Sequence, residues 1–360
     1  MNKNNYCVIL AGGVGARLWP CSHEKHPKQF IDIIGSGKSM LQETYERFSH
    51  FIEPSNIIIV TNSKYIVQVK QQLPDLSEDN ILLEPMRRNT VPSVIWSALN
   101  IQLRNPAANI VISPIDQIIR DTEAFEHDIL HGLDYVANHP RLLTLGVVPS
   151  HPETTYGYIQ MEIEQAPDIY QVKSFTEKPQ AEFARIFFEN KEFLWNTGLF
   201  IWNVKTILST IVTEIPEYAE FVALFRKELT KDGGDQELIN TTFASGPNDP
   251  IETGILEKTS NVDVMQCHFG WADIGTWESL YSVMPKDENN NVTLNTRSKL
   301  YNCHDCIVKM PEGRIVVLQD LENYVVAEEG NVLVVCKKDD QEGIRRFVNE
   351  VEIELGEEYI

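Results

Sequence analysis

A glycine-rich turn directly after the first apolar run limits what this chain can fold into. Residues 6–10 form a short apolar run, and Gly12, Gly13 and Gly15 follow it. Three glycines this close together let the backbone turn tightly and bring bare N–H groups against an anion, where a Cβ atom would obstruct them. The segment therefore predicts a phosphate-binding turn at the end of a strand.

Two better-known phosphate loops do not fit this segment. A dinucleotide fingerprint in these glycines needs glycine or alanine at position 18, where the chain has Leu18. A Walker loop ending at residues 37–39 needs glycine at position 32, where Asp32 stands. What remains is a turn with Arg17, which can bind two phosphate oxygens, and Lys28, which supplies a compact charge. An ordinary turn with two solvated basic residues is an equal alternative at this point.

Charge and composition limit the partners of this 360-residue chain. It has 52 acidic and 31 basic side chains, and the net charge of -21 repels nucleic acids and anionic membranes. No apolar run approaches the ~20 residues of a membrane span or the core of a signal peptide. The six scattered cysteines are too few for a disulfide framework, and Cys303 with Cys306 lacks the second pair of a zinc site. We therefore expect a cytoplasmic protein whose anionic ligands are held by local donors.

Apolar runs alternate with amphipathic stretches over most of the chain. The predicted buried strands are residues 6–10, 56–60, 109–113 and 142–148. The predicted helices lie between them: one has the capping box Ser39 and Gln42 and the apolar face Leu41, Tyr45, Phe48 and Ile52, and another has Pro92 in its first turn and the face Ile95, Leu99 and Leu103. The alternation predicts an α/β fold with a Rossmann-like, mostly parallel (mixed) sheet flanked by helices.

The texture changes after about Ser282. Short strand-like runs, such as residues 314–318 and 332–335, are separated there by turn signals. We predict a larger catalytic domain over residues 1–282 and a small β-rich C-terminal domain over residues 283–360, which would serve packing or dimerisation.

Seven motifs in order along the chain resemble those of the sugar-1-phosphate nucleotidyltransferases. They occupy residues 10–30, 84–90, 113–116, 152–158, 175–179, 195–198 and 271–277. Leu18-Trp19-Pro20 and Pro27-Lys28-Gln29-Phe30 are similar to the mannose-1-phosphate guanylyltransferase branch. The resemblance covers most of the chain and implies Mg²⁺-dependent transfer of GMP from GTP to mannose 1-phosphate, giving GDP-mannose and pyrophosphate. It also implies an in-line attack without a covalent intermediate, and a homodimer.

The resemblance assigns a role to each matching residue. The implied nucleotide-binding residues are Leu10, Ala11, Gly12, Gly13, Gly15, Arg17, Lys28, Glu84 and Asn89. The implied ligands of the sugar phosphate are Gly157, Glu177, Lys178 and Asn196, and those of Mg²⁺ are Asp116 and Asp273. The implied catalytic groups are Arg17, Lys28, Asp116 and Lys178.

Glu84 is the residue that bears on the choice of base. Guanine presents its N1–H and N2–H₂ donors side by side, and one carboxylate can accept both, whereas uracil, thymine and adenine offer no such pair.

Two alternative functions stay open: a guanylyltransferase for another hexose or a heptose 1-phosphate, and a non-catalytic homologue that binds nucleotide sugars. Against the second stands the simultaneous presence of the charged motif residues. The sequence does not decide whether Arg87 and Arg88 contact ligand. A fused isomerase is not expected, because the chain beyond Ser282 is too short for one.

Overall fold

The computed structural model describes residues 1–230 and 236–360. They form two compact units, and neither is one continuous segment. The first unit comprises Met1–Gly12, Thr44–Ile115 and the described part of Ile119–Trp271, and the second comprises Gly13–Glu43, Asp116–Ile118 and Ala272–Ile360. The glycine-rich segment therefore belongs to the first unit up to Gly12 and to the second from Gly13. The division predicted between residues 282 and 283 stays a prediction.

Strands and helices largely alternate over the first 147 residues, and the later elements are grouped by type. The strands are β1 Asn5–Leu10, β2 Ile57–Asn62, β3 Ile81–Glu84, β4 Asn109–Pro114, β5 Gln117–Ile119, β6 Leu142–Val147, β7 Tyr158–Ala166, β8 Ile169–Thr176, β9 Phe193–Asn203, β10 Val262–Cys267, β11 Trp271–Asp273, β12 Val292–Leu294, β13 Arg297–Tyr301, β14 Ile307–Lys309, β15 Ile315–Gln319, β16 Tyr324–Glu329 and β17 Val332–Lys337. The helices are α1 Met40–Ser49, α2 Ile66–Gln72, α3 Thr90–Arg104, α4 Thr122–Asn138, α5 Ala181–Glu189, α6 Val204–Glu214, α7 Pro216–Leu229, α8 Gln236–Ser245, α9 Ile251–Gly254, α10 Trp277–Val283 and α11 Gln341–Leu355. None of the helices within the described ranges is long and apolar enough to cross a membrane.

The first unit is built on one mixed sheet. Within the described residues its nine strands have the order β3-β2-β1-β4-β9-β6-β10-β8-β7. β3, β2, β1 and β4 run parallel, as do β6 and β10. β9 lies antiparallel between β4 and β6, and the hairpin of β7 and β8 pairs antiparallel to β10. The central strands β1, β2 and β6 are mostly apolar and almost entirely buried, as is typical of strands covered by helices on both faces. The four predicted strands and the mixed α/β fold are confirmed.

The predicted helix signals are largely confirmed. The amide N–H of Gln42 donates to Ser39 Oγ at 3.2 Å, and the amide N–H of Ser39 donates to Gln42 Oε1 at 3.1 Å, so the capping box forms before α1. Pro92 lies in the first turn of α3, where its missing N–H costs no hydrogen bond. The apolar face predicted on α3 was wrong at its end, because Leu103 is 53% exposed.

The C-terminal part of the second unit is rich in short strands, as predicted. β12, β14 and β16 run parallel, β17 pairs antiparallel to β16, and β13 and β15 form a separate parallel pair. Val308, Met310 and Val326 form one buried apolar cluster there. The chain then continues into α11, which the sequence analysis did not predict. Cys303 and Cys306 are buried free thiols.

Candidate active site

The glycine-rich turn has one position at which glycine is needed for two reasons. Gly15 has φ +70°, in the left-handed region that favours glycine. A Cβ atom at Gly15 would also lie 2.7 Å from the Lys28 Cδ atom and 3.0 Å from Ser22 Oγ. At exposed Gly13, by contrast, a Cβ atom would meet nothing within 4 Å. The turn therefore holds Lys28 closely on one side and is open at Gly13.

Lys28 contacts the first of the two aspartates predicted to bind metal. Its ammonium forms an ion pair with the Asp116 carboxylate, and both side chains are largely buried. Asp116 follows β4 by two residues, as expected for a ligand at the carboxyl end of a strand. The Asp116 carbonyl accepts a hydrogen bond from the Ile274 amide at 2.8 Å, which fixes it beside the segment that carries Asp273. Asp273 itself is the last residue of β11.

A third glycine lets Arg17 approach Asp273. A Cβ atom at Gly275 would lie 3.0 Å from Asp273 Oδ2 and 3.4 Å from Arg17 Nη2. The Gly275 amide also donates to Asp273 Oδ2 at 3.2 Å. The second unit therefore brings together Arg17, Lys28, Asp116 and Asp273 from three separate segments of the sequence. We call these four residues the phosphate cluster.

The two aspartates of the phosphate cluster have opposite pKa shifts. Burial opposes ionisation of Asp116, but the Lys28 ammonium and the Arg17 guanidinium outweigh it and leave the pKa of Asp116 lowered. Burial and the negative charge of Asp116 together raise the pKa of Asp273 to about 6. The cations in place thus compensate one carboxylate and leave the second poorly compensated.

This imbalance fits a divalent cation. Two carboxylates alone are a small ligand set, and in the described residues no group of three or more His, Cys, Asp or Glu could hold a metal ion. Mg²⁺ commonly binds through one or two carboxylates and takes its remaining oxygens from water and substrate phosphates. Asp116 and Asp273 therefore fit Mg²⁺ delivered with a nucleotide.

Glu84 is buried at the end of β3 in the first unit. Strand register places it level with Gly12, because Leu10 pairs with Val60 of β2 and Glu84 pairs with Asn62 of the same strand. A Cβ atom at Gly12 would lie 3.0 Å from Glu84 Oε2. The Glu84 carboxyl thus lies against the start of the glycine-rich segment.

One hydroxyl group contacts the buried carboxyl of Glu84. Ser93, in the first turns of α3, donates a hydrogen bond to Glu84 Oε1. Burial raises the pKa of Glu84 to about 7, although the Ser93 hydrogen bond works in the opposite direction. Glu84 is therefore a carboxyl group that changes its charge near neutral pH.

Four predicted sugar-phosphate ligands come together elsewhere in the first unit. The backbone N–H of Asn196 donates to the Gly157 carbonyl at 2.8 Å. A Cβ atom at Gly157 would lie 2.7 Å from Glu177 Oε2 and 3.5 Å from the Asn196 Cβ atom. Lys178 follows Glu177 and forms an ion pair with it, with about half of the Lys178 side chain exposed. We call Gly157, Glu177, Lys178 and Asn196 the sugar cluster.

Comparison with known proteins identifies the family. The family model described as nucleotidyl transferase matches residues 6–290. A protein from Klebsiella pneumoniae named mannose-1-phosphate guanylyltransferase is 31% identical over 357 residues, which are 98% of this chain and 75% of that protein. A protein of the same name from Escherichia coli is 32% identical and covers 95% of this chain and 72% of its own length. The chain belongs to the nucleotidyl transferase family.

A solved structure agrees with this placement. The Thermus thermophilus protein described as mannose-1-phosphate geranyltransferase has a TM-score of 0.86 and 27% identity, and the match covers 97% of this chain and 99% of that one. The family resemblance inferred from the seven motifs is thereby confirmed. This nucleotidyltransferase keeps the family fold over nearly its whole length.

Three predicted nucleotide ligands of this nucleotidyltransferase already have backbone or side-chain partners. Leu10 ends β1, and the Ala11 amide donates to the Val60 carbonyl at 2.8 Å. Asn89 is exposed before α3, and its side-chain amide donates to the Asn248 carbonyl at 2.8 Å. Their contacts with nucleotide stay predictions.

The two arginines left undecided by the sequence have different surroundings. Arg88 is a structural residue, since its guanidinium donates to the Gly246 carbonyl at 2.8 Å and to the Ala244 carbonyl. Arg87 is exposed. Arg88 thus fixes the loop after α8 in the first unit.

The structure adds three residues that the sequence analysis did not single out. Ser93 binds the Glu84 carboxyl, Gly275 makes room for Arg17, and Glu252 accepts a hydrogen bond from Asn196 Nδ2 at 3.2 Å. Gly275 lies inside the motif at residues 271–277, so its spacing from Asp273 was a usable signal. Ser93 and Glu252 lie outside the motifs and become visible only from their contacts.

Proposed function

We propose that this enzyme transfers GMP from GTP to mannose 1-phosphate and releases pyrophosphate, with GDP-mannose as the product. The observation that carries the proposal is the near-full-length match to mannose-1-phosphate guanylyltransferases at about 31% identity. The structure supports it with the chemistry of two groups of residues. The phosphate cluster combines two cationic side chains with two carboxylates that can bind a divalent cation. The sugar cluster can bind hydroxyl groups and one phosphate.

The phosphate cluster is suited to the triphosphate. Arg17 can bind two phosphate oxygens at once, and Lys28 can exchange its carboxylate partner for a phosphate oxygen. Mg²⁺ held by Asp116 and Asp273 would supply further positive charge to the phosphate oxygens of the nucleotide. These groups offset the repulsion between two anionic substrates, which is the main barrier that the protein must lower.

The sugar cluster is suited to the acceptor. In this proposal Lys178 binds its phosphate, while Glu177 and Asn196 offer an acceptor and a donor for ring hydroxyls. A phosphate oxygen of mannose 1-phosphate attacks the α-phosphorus of GTP and forms the new P–O bond. The bond from the α-phosphorus to the bridging oxygen breaks, and its electron pair leaves with pyrophosphate. The attacking oxygen is already an anion, so the reaction needs no protein nucleophile and no proton transfer.

Lys178 has an unusual backbone for a ligand residue. Its φ is +45°, in the left-handed region, and Pro179 follows it. A residue before proline ordinarily prefers extended backbone, so this conformation costs about 1–3 kcal/mol. Strain of this kind is typical of positions at which side-chain direction matters, and it supports a ligand role for Lys178.

The proposal is tested by measuring pyrophosphate release from the full chain with Mg²⁺ over a grid of nucleoside triphosphates and sugar 1-phosphates. We expect GTP with mannose 1-phosphate to be the best pair. Asp116→Asn should lower kcat by about a thousandfold or more with an unchanged circular dichroism spectrum. Asp134→Asn, at an exposed position of α4, is the matched control. Higher activity with UTP or dTTP would refute the assignment of GTP, and near-normal turnover by Asp116→Asn would refute the metal site.

A further inference from the structure

Glu252 adds a second carboxyl group to the sugar cluster. It lies in the short helix α9 of the first unit and is half-buried. Its Oε1 atom accepts a hydrogen bond from Asn196 Nδ2 at 3.2 Å. An ionised carboxylate has about four acceptor positions, so this bond leaves Glu252 with capacity for further donors.

The partners of Asn196 fix the direction of its amide. The Asn196 Oδ1 atom accepts from the Gly198 amide at 3.1 Å and from Thr144 Oγ1 at 3.3 Å. Its Nδ2 group donates one hydrogen to Glu252 and has a second one to donate. Asn196 is thus held as a donor to ligand. Acceptors for the hydroxyl hydrogens of a sugar must come from other side chains.

The charged residues around Glu252 are those of the sugar cluster. Burial raises the pKa of Glu252, the charge of Glu177 raises it further, and Lys178 and Asn196 act in the opposite direction. Glu177 and Glu252 are therefore close enough to interact electrostatically, with the Lys178 ammonium near both. Two carboxyls, one ammonium and one fixed amide match a polyhydroxylated ligand with a single phosphate.

We propose that Glu252 accepts a hydrogen bond from a ring hydroxyl of the sugar 1-phosphate and so determines which sugars this enzyme accepts. This inference rests on the proposed function, because it assigns the sugar cluster to the acceptor substrate. Glu252 and Glu177 then bind different hydroxyls of the same ring. A sugar that lacks the hydroxyl facing Glu252, or carries it in the opposite configuration, leaves the half-buried carboxyl without this second hydrogen bond and binds more weakly.

A purely structural role predicts different behaviour. If Glu252 only holds Asn196, glutamine serves equally well at position 252, since its Oε1 can accept the same hydrogen bond from Asn196. Glu252→Gln therefore keeps the hydrogen bond from Asn196 and removes the negative charge. Glu257→Gln, at an exposed glutamate five residues further along the chain, is the matched control.

The test compares wild type and Glu252→Gln with mannose 1-phosphate and with its 2-, 3-, 4- and 6-deoxy analogues. We expect Glu252→Gln to raise the KM of mannose 1-phosphate about ten- to hundredfold, with the KM of GTP unchanged. For one deoxy analogue, the KM of wild type should be higher than its KM for mannose 1-phosphate, whereas the variant should show no such increase. That analogue identifies the hydroxyl bound by Glu252. Unchanged kinetics of Glu252→Gln would overturn the inference. So would increases in KM from the variant and from the missing hydroxyl that are additive for all four analogues.

The same experiment separates this inference from the proposed function. If wild type prefers a different sugar 1-phosphate, the proposed function fails, and the comparison of Glu252→Gln with wild type is repeated on the deoxy analogues of that sugar. If the effects of Glu252→Gln and of one missing hydroxyl are again non-additive, Glu252 is supported as a sugar ligand, although the assignment of mannose 1-phosphate as the substrate is wrong. Thermal unfolding of both variants checks that each is folded.

Discussion

Replacing Glu84 by glutamine should stabilise the unliganded protein more at pH 8 than at pH 5. Glu84 has an ordinary pKa of 4.5, and burial raises it to about 7 in the folded chain. The folded state therefore binds the Glu84 proton more tightly than the unfolded state does. The resulting stability is fully present below pH 4.5 and is lost as pH rises through 7. Glutamine does not ionise, so it removes this dependence.

The size of the effect follows from the two pKa values. A pKa raised from 4.5 to about 7 corresponds to about 3 kcal/mol of stability lost at high pH. About 2.5 kcal/mol of this falls between pH 5 and pH 8, because the unfolded state has already lost most of its proton at pH 5. The difference between the two pH values isolates the ionisation of Glu84. Any constant cost of placing an amide beside Gly12 cancels in it.

Urea unfolding of wild type and Glu84→Gln at pH 5 and pH 8 measures this difference. Ser93→Ala is the matched control, since it removes the hydrogen bond that lowers the pKa of Glu84 and should move the transition to higher pH. If Glu84 binds guanine as proposed, kcat/KM for GTP should fall about tenfold between pH 8 and pH 6 in wild type at saturating Mg²⁺, because two N–H donors need the ionised carboxylate. A stability effect of Glu84→Gln that does not change with pH would refute the burial argument.

Three further predictions concern the other groups. Gly157→Ala should raise the KM of the sugar 1-phosphate at least tenfold with little effect on GTP, because the new Cβ atom would lie 2.7 Å from Glu177 Oε2; equal KM values in steady-state kinetics would contradict this. Calorimetric affinity for Mg²⁺ with GTP should decrease as pH falls below about 6, since Asp273 then binds a proton, and a constant affinity from pH 5 to 8 would count against the metal site. Trp277→Phe should lower the free energy of unfolding by about 1–3 kcal/mol in urea, because buried Trp277 Nε1 donates to the Trp19 carbonyl at 3.0 Å; an unchanged midpoint would show that the bond contributes nothing.

The sequence predicted best what depends on local periodicity. The buried strands, the capping box before α1 and the proline at the start of α3 are all set within about ten residues, and each was confirmed. Leu103 and α11 were the exceptions. Leu103 keeps the apolar spacing of α3 but is exposed, because burial depends on which element covers the last turn. The strand pattern that precedes α11 does not indicate a helix. Within α11, the apolar residues Ile353 and Leu355 are exposed.

The sequence predicted which site residues lie close together only for those residues to which the motifs assign a common role. The resemblance gave Asp116 and Asp273 one common role, and the structure brings them together with Lys28 and Arg17. It could not show that Lys28 already neutralises Asp116. That depends on a contact across 88 residues and on the glycine at position 15 that leaves room for the lysine side chain.

The opposite pKa shifts of Asp116 and Asp273 give the phosphate cluster its chemical character. Sequence spacing treats the two aspartates as equivalent, but the cations in the second unit are shared unequally between them. Asp116 is held ionised by Lys28, whereas Asp273 stays partly protonated near pH 6 until more positive charge arrives. On the proposed function, a nucleotide with its Mg²⁺ would bring that charge and would also offer Lys28 new oxygen partners. Binding of the nucleotide should therefore release a proton from Asp273, and the calorimetric heat of GTP binding near pH 6 should depend on the ionisation enthalpy of the buffer.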